Sequence, residues 1–256
     1  MSSVTALGER LKEKSPVITA WLGIPEPWIA GVMAREPYDA VTLDMQHGTY
    51  DLAAVARAIP LIAAAGKPAL ARIPVGEFQT ASKILDAGAS GIVAPMINTV
   101  EDARRFAGFM KFPPVGERSW GPLGALILSG LAPGDYLSQA NGFSVGFAMI
   151  ETREALANLD DILAVPGLDG IFMGPSDLSI TLSKGATLDV QGAEVEKALD
   201  HALARAKAAG KLAGAYAATG ERAAEFVKRG FSYIALGSDT TALRAGAQAA
   251  LKAARG

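Results

Sequence analysis

Eight short apolar runs, separated by segments with helical periodicity, constrain the fold more than any other feature of the chain. The runs are rich in Val, Ile and Ala, as expected of repeated βα units. They cover residues 17–23, 40–46, 68–74, 91–97, 143–151, 168–174, 211–217 and 231–237. Several helical patterns end in the Gly that favours a helix C-terminus. Eight such units predict a (β/α)8 TIM barrel, with residues 1–256 forming a single domain.

The alternative fold is a doubly wound open sheet, but no GxGxxG follows the first run to support it. Two segments depart from the simple alternation. Residues 112–142 are rich in Gly, Pro and aromatic residues, which predicts a loop with function or packing of its own, such as a lid. The Ala-rich tail that begins at "SDTTALRAGA" is either the eighth barrel helix or an arm that packs on another subunit.

Composition limits the classes of partner. A net charge of -2 gives no broad basic field, so we do not expect nucleic acid as a partner. The chain has no Cys, which excludes a disulfide framework, a thiolate metal site and a cysteine nucleophile. No apolar run approaches the ~20 residues needed to span a bilayer, and the start "MSSVTALGERLKEK" is too charged for a signal peptide. We therefore expect a cytoplasmic enzyme without a membrane partner.

Polar residues follow several of the predicted strands, at the barrel face where TIM barrels place their chemistry. These residues are Asp44 and His47 in "LDMQHG", Arg72 in "ARIP", Glu151 in "IETREA" and Asp177 in "GPSDLS". A carboxylate at the end of a buried strand is costly unless a partner compensates its charge. Glu151 or Asp177 alone could cap the helix that follows. Together they suit a hard divalent cation such as Mg²⁺ or Mn²⁺.

The remaining candidates each have a functional and a structural interpretation. His47 lies at a strand exit and is either a poised imidazole or a loop residue without a catalytic task. His201, among charged neighbours on a predicted helix face, is interpreted as structural. Arg72 either closes a salt bridge with Asp44 or Asp86, or is a fixed cation aimed at an oxyanion.

Several blocks resemble the HpcH/HpaI family of metal-dependent, class II pyruvate aldolases, which includes the 4-hydroxy-2-oxoheptanedioate aldolases. The sequence blocks that carry this resemblance are "LDMQHG", "ARIP", "ILDAGASGIVAPMINTVEDARR", "FPPVGER", "IETREALANLDDILAVPGLDGIFMGPSDLS" and "ALGSDTTALRAGA". The resemblance implies a (β/α)8 barrel in a homo-hexamer, with the last helix exchanged between subunits. It also implies reversible aldol addition of pyruvate or hydroxypyruvate to an aldehyde, giving 4-hydroxy-2-oxo acids through a metal-bound enolate.

The resemblance also assigns roles to individual residues. Glu151 and Asp177 would hold the metal, which is Mg²⁺ or Mn²⁺, with Co²⁺ as a further candidate. Arg72 would stabilise the enolate oxygen, and His47, oriented by Asp86, would serve as base. The implied substrate-binding residues are Trp21, Arg72, Gly174, Pro175, Ser176 and Asp177. One departure stands out, because the family commonly has Gln two residues before the metal-binding Glu and this chain has Met149.

Two other functions stay open at the level of sequence. "LGSDTT" after the eighth strand, with "ATGE" after the seventh, would form a phosphate site in a sugar-phosphate isomerase, although a helix N-cap explains the motif as well. Alternatively, the barrel is a non-catalytic, lyase-like subunit. A lysine Schiff base is disfavoured, because no Lys lies inside a predicted strand.

Overall fold

The computed structural model describes residues 2–13 and 15–256. Eight parallel strands pair in sequence order, and β1 pairs with β8 to close the barrel. The strands are β1 Val17–Leu22, β2 Ala40–Asp44, β3 Ala69–Arg72, β4 Gly91–Ala94, β5 Val145–Ile150, β6 Gly170–Met173, β7 Leu212–Ala217 and β8 Tyr233–Leu236. All eight predicted strands and the (β/α)8 fold class are confirmed, and the strands are slightly shorter than the apolar runs.

Helices connect the strands and also cover one end of the barrel. They are α1 Ser3–Lys12, α2 Pro27–Met33, α3 Leu52–Ala64, α4 Gln79–Asp86, α5 Val100–Met110, α6 Leu123–Ser129, α7 Pro133–Phe143, α8 Arg153–Ala157, α9 Leu159–Leu163, α10 Pro175–Leu182, α11 Ala193–Ala208, α12 Gly220–Arg229 and α13 Asp239–Arg255. None of the helices in the described part of the chain is long and apolar enough to cross a membrane.

Two apolar layers hold the barrel together. Side chains of one strand alternate between the barrel interior and the surrounding helices, because the side-chain period of a strand is two. In β5, Phe147 and Met149 pack inside the barrel, whereas Ala148 and Ile150 pack in the layer beneath the helices. Both faces of the strand are therefore buried, which explains why the strands read as continuous apolar runs.

Helix α1 was not predicted, and it closes the end of the barrel where the strands begin. Ser2 caps it by accepting a hydrogen bond from the Thr5 N–H. Leu7 and Leu11 of α1 join the cluster inside the barrel. The amino-terminal end is thus filled by side chains, and the opposite end is left for a cavity.

Residues 112–142 form α6 and most of α7, which pack against α1. Phe112, Ala125 and Tyr136 share an apolar cluster with Val4 of α1. None of residues 112–142 lines the cavity at the carboxyl ends of the strands. The prediction that this segment has packing of its own is confirmed, and it is not a lid over the strand ends of its own chain.

Helix α13 does not cover the barrel as a TIM-barrel helix normally does. Only its first residue, Asp239, is buried, and residues 240–256 are all exposed. By contrast, Ala223 and Phe226 of α12 are buried. The tail therefore extends away from the strands of its own chain.

Candidate active site

A cavity of about 400 Å³ lies at the carboxyl ends of the strands. Its lining residues are Trp21, Asp44, His47, Arg72, Met149, Glu151, Phe172, Gly174, Pro175, Ser176, Asp177, Tyr216 and Ser238. The structure thus brings together every predicted metal-binding and substrate-binding residue. Of the predicted catalytic residues, His47 and Arg72 line the cavity and Asp86 does not. No lysine of the described chain lines it either.

The two carboxylates Glu151 and Asp177 are not helix caps. Thr152 caps α8 by accepting a hydrogen bond from Ala155 N–H at 3.0 Å. Helix α10 begins without a side-chain cap hydrogen bond. Asp177, in its first turn, therefore does not cap the helix through a hydrogen bond. Neither residue therefore makes a cap hydrogen bond, although Asp177 lies in the first turn of α10, where the helix dipole favours an acidic side chain.

Glu151 lies deep in the wall of the cavity, with 1% of its surface exposed. Its Oε2 accepts a hydrogen bond from the backbone N–H of Met96 at 2.9 Å, and no described residue donates to Oε1. Burial raises the pKa of Glu151 to about 7; the Met96 N–H opposes this shift and the nearby charge of Asp177 adds to it. The pair therefore resists carrying two negative charges without a cation.

Asp44 holds Arg72, whose charge lowers the pKa of Glu151 by less than burial raises it. Nε and Nη2 of Arg72 donate to the two Asp44 oxygens at 2.8 and 2.6 Å. Both residues are buried, with exposed fractions of 7% and 4%. Burial alone would raise the pKa of Asp44, but the hydrogen bonds and charge of Arg72 hold it below its usual value. Of the two salt bridges considered from the sequence, the one with Asp44 is confirmed.

The remaining donor of Arg72 is free to act in the cavity. Nη1 makes no hydrogen bond within the described residues, and the guanidinium lies 4.9 Å from the centre of the Trp21 ring. Trp21 in turn donates its indole N–H to Asp44 Oδ2 at 3.3 Å. The guanidinium is thus fixed by both a carboxylate and an aromatic ring, in the geometry suited to an oxyanion donor.

His47 is exposed on the loop that follows β2, and Asp44 shapes this loop. Asp44 Oδ1 accepts hydrogen bonds from the backbone N–H groups of Gln46 at 3.0 Å and His47 at 3.3 Å. A Cβ atom at Gly48 would lie 2.3 Å from the Asp44 carbonyl oxygen, so only Gly fits this turn. His201 is exposed on α11, in line with its structural interpretation.

Asp86 lies away from His47 in the same chain. It is the last residue of α4, and barrel helices run back from the carboxyl ends of the strands toward their amino ends. Its Oδ1 accepts a hydrogen bond from Arg118 Nη2 at 2.6 Å. Within one chain the expected His47–Asp86 contact is not made. The role of Asp86 therefore stays a prediction.

The first turn of α10 provides a site for an anion. Pro175 is the first helical residue, and the backbone N–H groups of Ser176 and Asp177 donate to no described acceptor. The free N–H groups and the dipole of a helix N-terminus favour a carboxylate or phosphate. This supports the prediction that residues 174–177 receive the carboxylate of a substrate.

Two lining residues, Phe172 and Tyr216, were not identified from the sequence, and a third, Ser238, was considered only as part of the "LGSDTT" motif. Phe172 and Tyr216 lie near the ends of β6 and β7, and their rings contact Trp21 at centroid distances of 5.7 and 6.1 Å. Ser238 lines the rim and caps α13 by accepting a hydrogen bond from the Thr241 N–H. The alternation of side chains along each strand was the available signal, but without the strand register it does not say which ring faces inward.

Comparison with known proteins places this site in a family. A family model described as HpcH/HpaI aldolase/citrate lyase matches residues 18–245. The chain is 40% identical over 243 residues to the hydroxypyruvate/pyruvate aldolase of Rhizorhabdus wittichii, covering 95% of this chain and 96% of that protein. It is 33% identical to a 4-hydroxy-2-oxo-heptane-1,7-dioate aldolase of Salmonella dublin, covering 95% of this chain and 92% of that protein.

The solved structures agree. An HpcH/HpaI aldolase/citrate lyase family protein from Burkholderia cenocepacia matches with a TM-score of 0.87 at 29% identity, covering 98% of this chain and 100% of that one. The chain therefore belongs to the HpcH/HpaI aldolase/citrate lyase family, and it is an aldolase. The interpretation of "LGSDTT" and "ATGE" as a phosphate site is replaced by the N-cap interpretation, since Ser238 and Thr219 cap α13 and α12.

The residues present fit the divalent metal on which this family generally depends. Glu151 Oε1 is free to ligate, and the missing side chain of Gly174 makes room for it, because a Cβ atom there would lie 2.5 Å from this oxygen. The described residues contain no group of three or more His, Cys, Asp or Glu side chains that could hold a metal. A two-carboxylate site suits Mg²⁺ or Mn²⁺, which keep several water ligands.

Replacing Glu151 by Gln should stabilise the metal-free protein at pH 8 and change little near pH 5. A Glu carboxyl titrates near 4.5 in the unfolded chain and near 7 in this folded protein. The proton on the Glu151 carboxyl group stabilises the folded state. This stabilisation is complete below pH 4.5 and is lost as the pH rises through 7. The gain of the variant at pH 8 should be on the order of 3 kcal/mol.

Thermal melts with a chelator at both pH values would measure this difference. Glu154→Gln, an exposed change three residues away, is the matched control and should leave the melting temperature unchanged. Saturating Mn²⁺ should reverse the order, making wild type more stable than the Gln variant. Equal stability of wild type and Glu151→Gln at pH 8 without metal would show that the carboxylate carries no electrostatic cost.

Proposed function

We propose that this chain catalyses reversible aldol addition of pyruvate or hydroxypyruvate to an aldehyde, giving 4-hydroxy-2-oxo acids. The observation that carries the proposal is the pair of carboxylates, Glu151 and Asp177, which share a cavity with the guanidinium that Asp44 holds. The relatives named as hydroxypyruvate/pyruvate and 4-hydroxy-2-oxo-heptane-1,7-dioate aldolases support the same chemistry.

Glu151 and Asp177 would hold Mg²⁺, Mn²⁺ or Co²⁺. When bound, such a cation supplies Lewis-acid polarisation of a 2-oxo acid, which acidifies the adjacent methyl group. The carboxylate of the 2-oxo acid would accept hydrogen bonds from the backbone N–H groups of Ser176 and Asp177 at the start of α10. Trp21 would form the wall against which the substrate lies.

Arg72 would stabilise the negative charge that develops on the keto oxygen. Its Nη1 is the free donor, and its two other nitrogens are held by Asp44, so the group needs no reorganisation during the reaction. His47 would move the proton at its imidazole, since it is the only histidine in the cavity lining. Asp86 of a neighbouring copy would orient His47.

Met149 makes one wall of the cavity apolar, at the position where the family commonly has Gln. Its side chain is buried and lies in the same cluster as Trp21 and Phe172. A thioether is only a weak hydrogen-bond acceptor. Polar recognition of the donor and the aldehyde therefore falls to the other groups of the cavity.

Exchange of the pyruvate methyl protons for deuterium tests the proposed function directly. Enolisation should precede attack on the aldehyde, so exchange should occur with protein and Mn²⁺ or Mg²⁺ and no aldehyde. NMR would follow the loss of the methyl signal. Asp177→Asn should abolish exchange while leaving the fold intact. Absence of exchange with either metal would overturn the assignment of pyruvate as donor.

Replacing Arg72 by Lys should lower kcat by about 100- to 1,000-fold, which is the usual loss for one oxyanion donor. Lys keeps the charge but loses the planar fork that binds Asp44 and leaves Nη1 pointed at the cavity. The KM for pyruvate should change much less, because the backbone N–H groups of α10 remain.

The same replacement breaks a buried ion pair, so folding must be checked separately. Thermal melts would show whether the Lys variant is folded at the assay temperature. Arg205→Lys, which alters an exposed pair with Asp160, is the matched control and should change neither kcat nor stability. If Arg72→Lys keeps most of the wild-type kcat, Arg72 does not stabilise the enolate.

The proposed assembly is a homo-hexamer in which α13 is exchanged between subunits. An apolar groove of about 990 Å³ lies where an eighth barrel helix would cover β1 and β8. Ile18 and Leu236 line it, together with the exposed side chains of Trp28, Val32 and Leu243. An α13 helix from a second copy would fill this groove and bury its own apolar residues.

Removing residues 241–256 should convert a large oligomer into smaller, less stable species. The truncation keeps Asp239, whose Oδ2 accepts hydrogen bonds from the N–H groups of Gly23 and Ile24 at 3.0 and 2.8 Å. Light scattering would give the mass of each species. Trp28→Ala, on the facing wall of the groove, should weaken the same assembly. A monomeric full-length protein would contradict helix exchange.

A further inference from the structure

Met96 adopts a left-handed backbone conformation that residues other than glycine rarely adopt. Its φ is +54°, and Lys184 with φ of +56° is the other non-glycine residue of the described chain in this region. The left-handed region brings Cβ close to the following carbonyl oxygen, so it is rarely used without a reason. Lys184 lies in a turn after α10 and lines no part of the active-site cavity. Met96 directly contacts a candidate metal ligand.

The left-handed turn aims two successive N–H groups at the same neighbouring strand. The Met96 N–H donates to Glu151 Oε2 at 2.9 Å, and the Ile97 N–H donates to the Met149 carbonyl at 3.2 Å. In an extended strand, successive N–H groups point to opposite sides. A left-handed residue allows both to face the end of β5, so that one N–H meets the Glu151 carboxylate and the next meets the Met149 carbonyl.

The turn is also tied to the chain that follows Glu151. Asn98 Oδ1 accepts a hydrogen bond from the Thr152 hydroxyl at 2.5 Å, and the Asn98 carbonyl accepts one from the Asn158 side chain at 2.9 Å. The turn is therefore bonded to residues on both sides of Glu151. The carboxylate is held through Oε2, which leaves Oε1 over Gly174 as the ligating atom.

We infer that Met96 is a positioning residue, whose left-handed backbone delivers the N–H that fixes Glu151 for metal binding. The inference rests on the proposed function, because it concerns the metal site assigned there. The backbone carries this role rather than the thioether. The role therefore depends on whether a substituted residue tolerates a positive φ.

Two substitutions at this position separate backbone from side chain. Met96→Asn removes the thioether but tolerates the left-handed region, whereas Met96→Ile keeps apolar bulk but is β-branched and resists it. Titration with Mn²⁺, without substrate, should give an affinity for the Asn variant within about 3-fold of wild type. The Ile variant should bind about 10- to 100-fold more weakly, as is usual when the support of a metal ligand is lost.

Lys184 offers a matched control, because it has a positive φ but lies away from the cavity. Lys184→Asn and Lys184→Ile change how well this residue tolerates the left-handed region. Neither should alter Mn²⁺ affinity, although Lys184→Ile should lower the melting temperature. If Met96→Ile does not fold, Met96→Thr, which is branched but smaller, repeats the test. Equal Mn²⁺ affinity of the Asn and branched variants would overturn the inference, as would an Asn variant as weak as the branched one. A wild-type protein that binds no Mn²⁺ would overturn the proposed function and this inference together.

Discussion

The carboxylate of Asp44 is the interaction on which the rest of the candidate site depends. It is almost fully buried and therefore costly unless every lone pair is used. Its donors are two nitrogens of Arg72, the indole of Trp21, and the backbone N–H groups of Gln46 and His47. These contacts join β1, β2, β3 and the loop after β2. One side chain thus sets the positions of the guanidinium, the indole and the histidine loop relative to each other.

The pairing of Asp44 with Arg72 has an electrostatic consequence elsewhere in the cavity. Because Arg72 is paired with Asp44, its charge offsets only part of the rise in the pKa of Glu151 that burial causes. The Met96 backbone N–H supports the Glu151 carboxylate, while burial and, to a smaller extent, the charge of Asp177 raise its pKa. Such a locally unfavourable arrangement is typical of a functional site, where a ligand relieves a cost that folding alone does not.

The sequence predicted the barrel well, because strands buried on both faces appear as apolar runs and the polar residues that follow them converge at one end. This reasoning found Asp44, Arg72, Glu151 and Asp177. It left Asp44 and Asp86 open as the salt-bridge partner of Arg72, since the choice depends on which strands are neighbours and on where α4 ends. It did not find the role of Met96, because a backbone N–H and a positive φ leave no mark in residue type. The direction of α13 was equally hidden, since an Ala-rich helix suits either packing.

The charged groups are unevenly distributed around the rim of the barrel. The ends of β2, β3, β5 and β6 carry all the ionisable residues of the cavity apart from Tyr216, whereas the ends of β7 and β8 contribute only Tyr216 and Ser238. Within the described chain, neither Tyr216 nor Ser238 makes a hydrogen bond to the carboxylate pair or to Asp44, although the Tyr216 ring contacts Trp21. A change at Tyr216 or Ser238 therefore removes no hydrogen bond from the charged groups, so this arc is the part of the rim that can be varied or engineered with the least effect on them.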